Sequence, residues 1–169
     1  MRKITAVFVL VLVGGFTASA GRKPEDVFNW ISDHLGTASY TVTTPQATYP
    51  EKQSAKVEFE GCNVTLTEDV ATQKGNILTT VSFSLSDVQT DMINYSPEKA
   101  TANTRVTPYY VVQLPLANSA IDNTTFTTSE GSKRFISASR SASIVIQDRN
   151  TAIRQAHAWR DASLACGAR

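Results

Sequence analysis

Cysteine and histidine are scarce in this chain, two of each among 169 residues. Cys62 and Cys166 are far apart, as are His34 and His157, and no short C-x-x-C or H-x-x-x-H spacing exists. A zinc-type ligand set therefore has no nucleus, and neither a metal nor a cofactor is expected. The catalytic signatures G-x-S-x-G, H-E-x-x-H, G-x-x-x-x-G-K-[ST] and G-x-G-x-x-G are also missing. Neither sign of charge dominates, with 16 basic against 15 acidic residues. That balance lacks the electrostatic footprint of a nucleic-acid binder, and no run of Lys and Arg marks a membrane-surface patch. Long apolar runs are absent too. The one apolar stretch, Ile4 to Phe16, falls short of the roughly 20 residues that span a bilayer.

What that stretch does match is an export signal. Arg2 and Lys3 precede it, and Ala18-Ser19-Ala20 follows with small residues where a signal peptidase reads. Residues 1–20 are expected to be removed, leaving one domain over 21–169 with no stable membrane insertion. Loss of Arg2 and Lys3 leaves fourteen basic residues, a net charge near −1. The destination is the periplasm or the extracellular space, where thiols pair. A Cys62–Cys166 disulfide is expected, and two buried free thiols are the alternative.

The apolar periodicity changes along the chain. "KPEDVFNWISDHLG" (23–36) reads as a helix: Pro24 suits its first turn, Glu25 and Asp26 its positive end, and Val27, Ile31 and Leu35 form a stripe. Trp30 and His34 share a neighbouring face, where packing is the expected role. Strands are expected at "SYTVTTP" and "AKVEFE", the latter with Ala55, Val57 and Phe59 inward. After Gly61 the inward phase moves to Cys62, Val64 and Leu66, which a β-bulge or a tight turn at Glu60-Gly61 would produce. "QKGN" is a turn and "ILTTVSFSL" a strand. A short strand is read around Met92 to Tyr95, with a loop over "SPEKATANTRVTP". "YYVVQLPL" is a strand that Pro115 places at an edge or terminates. Residues 117–133 read as irregular, followed by short strands at 134–137 and 142–146. The closing "QDRNTAIRQAHAWRDASLACG" is a helix capped by Asp148 and stopped by Gly167, with Ala152, Ala156, Trp159, Ser163 and Cys166 on its buried stripe. The sum is an α+β fold: an N-terminal helix, a bent antiparallel sheet of five to seven short strands, and a C-terminal helix packed on the sheet.

The ending strand–"DRNTAIRQAHAW"–"LACG", the mid-chain "FSLSD" and the strand after it resemble small exported bacterial proteins of unknown function. The layout over residues 50–167 is also similar to the pleckstrin-homology-like superfold, a bent meander closed by one C-terminal helix. The resemblance implies a fold and a bacterial host, and no catalytic residue.

Candidate chemistry is thin. His157 projects from the polar side of its helix. Glu58 with Glu60, and Asp87 with Asp91, are paired carboxylates that solubility and turn formation already explain. Ser132, Lys133 and Arg134 in "TSEGSKR" form a possible anion-binding loop, a hairpin tip being the other reading. Tyr95, Tyr109 and Tyr110 are either a binding surface or packing residues. Asn63, Asn94 and Asn123 head glycosylation sequons that matter only in a eukaryotic host. The expected function is an exported, non-catalytic binding or structural module for a protein or small-molecule ligand. A small secreted hydrolase with a site assembled from sequence-distant residues is the alternative.

Overall fold

The computed structural model describes residues 23–43, 47–97, 105–106 and 109–169. The expected signal segment and most of the 96–108 loop lie outside the described residues. Helix α1 (Pro24–Asp33) begins at Pro24 with Glu25 and Asp26 in its first turn. Val27, Ile31 and Leu35 are buried, as their spacing requires. Strands β1 (Thr37–Thr43), β2 (Thr48–Glu60), β3 (Asn63–Thr72) and β4 (Gly75–Ser84) then form an antiparallel meander. Two 3₁₀ turns, Leu85–Asp87 and Thr90–Met92, lead to β5 (Asn94–Pro97). Short β6 (Arg105–Val106) pairs with β1. Long β7 (Tyr110–Thr128) and β8 (Gly131–Ile146) form a hairpin, and α2 (Arg149–Ala165) closes the chain. The fold is α+β, with both helices packed on an antiparallel sheet.

β7 organises the sheet. One flank pairs with β5 over Tyr110–Gln113 and with β4 over Ile121–Thr127, while β8 runs along the other flank. Pro115 sits between those two pairings, where β5 has ended and β4 has not begun, so its missing N–H breaks neither ladder. The register shifts between Pro115 and Ala120. The sheet curves until the end of β8 approaches β1, where the Ser39 backbone N–H donates to Gln147 Oε1 at 2.7 Å.

Three expectations are corrected. Segment 117–133 is not irregular. Its Thr-rich residues extend β7 and turn at Ser129–Glu130 into β8, consistent with the strand preference of threonine. The two short strands expected at 134–137 and 142–146 are one, β8, and among the described residues the sheet has eight strands, several of them long. The phase slip at Gly61 is a tight turn: Glu60 pairs with Asn63, and Gly61 takes the left-handed φ of +58°. Cys62 is thus an exposed turn residue rather than part of the inward set.

The disulfide forms nonetheless. Cys62 bonds Cys166 with S–S 2.05 Å and Cα–Cα 5.7 Å. Cys166 is the C-cap of α2, and behind it Gly167 N donates to Leu164 O and Ala168 N to Ser163 O, the paired bonds of a Schellman ending. The bond joins the β2–β3 turn to that helix end. Beneath the helices lies the core. Val57, Val64, Leu66, Val81 and Phe83 face Trp159, which is wholly buried and flanked by Phe59 and Phe83 with ring centroids 5.8 and 6.3 Å away. Gln155 Nε2 donates to Ile31 O at 3.3 Å, tying α2 to α1.

Candidate functional site

The helices cover only part of the concave sheet face. Along β3 the inward phase runs Val64, Leu66, Glu68, Val70, so beyond the core a carboxylate takes the place of an apolar side chain. On β2 the same face carries Val57, Ala55, Gln53 and Glu51, and on β1 it carries Ala38 and Tyr40. On the other side of β3, Glu68 pairs with Thr79 of β4, and Thr79 pairs with Thr124 of β7. Thr79 Oγ1 lies 3.2 Å from Thr124 Oγ1, which donates to Asp122 Oδ1 at 3.0 Å. A polar strip from Tyr40 and Glu51 through Gln53 and Glu68 to Asp122 therefore crosses a face that is apolar under the helices.

Its electrostatics are unusual. Burial lifts the Glu68 carboxyl to about 7, with the nearby Asp122 charge adding to the rise and a hydrogen bond from Gln53 opposing it. Gln53 itself is only 7% exposed. Glu68 Oε1 is sealed from solvent without a hydrogen-bond partner among the described residues. Burial and the neighbouring Glu51, which also accepts its hydrogen bond, push the Tyr40 hydroxyl well above the usual tyrosine range. The Tyr40 ring packs on Tyr109 at 4.6 Å. A surface depression of about 590 Å³ at this end of the sheet is lined mainly from the opposite face, by Ser39, Thr41, Pro50, Lys52 and Ala71, and does not include Glu68 or Gln53.

The residues singled out from sequence lie elsewhere. Ser132 and Lys133 line a small depression of about 270 Å³ at the β7–β8 hairpin tip. Arg134, next in the strand, points to the opposite face and donates to Asn123 Oδ1 at 2.9 Å. Strand alternation thus separates the two cations that a loop would have let converge. His34 stacks on Trp30 with ring centroids 4.3 Å apart, and its Nδ1 lies 2.7 Å from Trp30 O. His157, exposed, lines a cleft of about 350 Å³ between the helices with Trp30, Arg154 and Asp161. Glu58 is bound by Lys56 at 2.6 Å, which holds its carboxyl below the usual range. Asp87 accepts from Asn118 Nδ2 at 2.7 Å, and Asp91 faces Arg160 at 3.4 Å. Tyr110 and Tyr95 pack against the core while Tyr109 meets Tyr40, so the three tyrosines form no common surface. Among the described residues no His, Cys, Asp and Glu grouping could hold a metal ion.

Glu68 and Gln53 were available to sequence reasoning as polar residues in the inward phase of their strands. Asp122 and Thr124 were not, because their segment carried no readable period. No family model, curated protein or solved structure matches the chain. The site therefore stands on its geometry alone.

Proposed function

We propose that the protein is an exported binding module without catalytic activity, and that its ligand enters the open end of the concave sheet face. The disulfide between Cys62 and Cys166 supports residence in an oxidising compartment. Among the described residues no helix is long and apolar enough to cross a membrane. The observation that carries the reading is Glu68, whose carboxyl is kept near neutral pH by burial while one of its oxygens lacks a partner. A buried acceptor of this kind is costly unless something donates to it. Asp122 and Glu51 add negative potential, while Tyr40, Tyr109 and the half-buried Phe126 supply aromatic surface on or beside the same face. The matching ligand is an alkylammonium group, a cation on an apolar stem.

The test is titration of the oxidised protein with n-butylammonium, followed by amide shifts of β2, β3 and β7. Binding is expected to strengthen as pH rises through about 7, where Glu68 ionises. The Glu68→Gln variant is expected to lose both the affinity and its pH dependence. Shifts elsewhere, or affinity unchanged in the variant, would contradict the reading.

A second reading, a small secreted hydrolase, draws on the same carboxyl, since an acid near neutrality suits proton transfer and the Asp122 carboxylate stands two strands away on the same face. Hydrolysis of a small ester or amide that is abolished in Glu68→Gln would favour it over binding alone.

A further inference from the structure

We propose that two copies of this chain associate by antiparallel pairing of their β8 strands, with the two-fold axis at Phe135. β8 is the outermost strand on its flank of β7. The end of that flank approaches β1, but among the described residues no strand pairs with Gly131–Ser139 on the side away from β7, and 131–138 are all exposed. An open strand of this length is a template for another strand. It also carries large apolar side chains on both faces: Phe135, 58% exposed, on the concave side and Ile136, 68% exposed, on the convex side beside exposed Ile121.

Charge identifies the occupant and the register. Hydrogen-bonded and non-bonded pairs alternate along an antiparallel ladder, so a two-fold axis must pass through a residue paired with its own copy. An axis at Lys133 or Arg134 pairs like with like, and an axis at Ser137 sets Arg134 against Arg140. An axis at Ile136 avoids repulsion but gives no attraction. With the axis at Phe135, Arg134 faces Ile136, Lys133 faces Ser137, and Glu130 in the turn faces Arg140 twice over. The basic residues that would block promiscuous edge pairing leave this register open. It also joins the two concave faces into one sheet surface.

Sedimentation of the mature, disulfide-bonded protein over a range of concentrations tests the association. A monomer–dimer equilibrium is expected. Arg140→Glu should weaken it at least about tenfold, and the Glu130→Arg, Arg140→Glu double variant should restore most of the loss. Phe135→Cys should cross-link to its own copy and Ser137→Cys should not, because the axis places 137 against 133. A monomer at every concentration overturns the proposal. So does a charge swap no better than the single change, or equal cross-linking at 135 and 137. Because Glu130 and Arg140 stand outside the Glu68 strip, failure here leaves the binding reading untouched.

Discussion

At neutral pH the Glu68 carboxyl stands near the midpoint of its own titration, and that has a consequence for stability. Its value is raised from 4.5 to about 7, so between those values the folded chain holds a proton that the unfolded chain has released. Stability present below about pH 4.5 is therefore lost as pH rises through 7, by up to roughly 3 kcal/mol. Denaturant unfolding at pH 5 and pH 8 should show this fall, and Glu68→Gln should flatten it; equal slopes for both proteins would mean that the carboxyl is not buried as described. Gly75 is a second sensitive position. Its φ is +143°, and an added Cβ would collide with the Thr127 carbonyl oxygen of β7. Gly75→Ala is expected to cost about 2 to 4 kcal/mol, read as a shift in denaturation midpoint. Sequence reading reached part of this scale. The inward phase of Val64 and Leu66 runs on to Glu68, whereas nothing local reveals that Thr127 will lie against Gly75.

Elements were legible where one period ran unbroken. Helices α1 and α2 lie where their caps and stripes place them, and Asp148 accepts from Thr151 N at 2.9 Å. The Thr151 hydroxyl, and after it this backbone bond, lower the Asp148 carboxyl. Asp148→Ala should cost about 1 kcal/mol, measured by thermal or denaturant unfolding. Trp159→Ala should cost about 3 to 5 kcal/mol, since Phe59 and Phe83 cannot fill its volume. Of the β7–β8 hairpin only the tip was legible, as the hairpin reading of "TSEGSKR". Asp122, Asn123 and Thr124 look like loop residues, and only pairing with β4 and β8, distant in sequence or across a turn, makes them strand. Tertiary pairing overrode composition there, and the displaced residues included the Asp122 end of the candidate site.

At the scale of the whole molecule, the Cys62–Cys166 bond closes a loop over 104 positions, linking the β2–β3 hairpin of the meander to the end of the last helix. In the chain-entropy account such a closure is worth about 4 to 5 kcal/mol. Cys62→Ser should lower thermal stability under oxidising conditions and change little under reducing ones; equal loss in both would assign the effect to packing. Export predicts a secreted product that begins at residue 21 and weighs two hydrogens less than its reduced form, which intact-mass measurement reads directly. The two cysteines were legible as a pair from compartment and position, although Cys62 reaches its partner from a turn. The direct test of the central claim is an NMR titration of the Glu68 side-chain carboxyl with and without n-butylammonium. The account predicts a midpoint near 7 in the free protein and a lower one when the ammonium is bound. A midpoint in the ordinary glutamate range, unmoved by the amine, would contradict it.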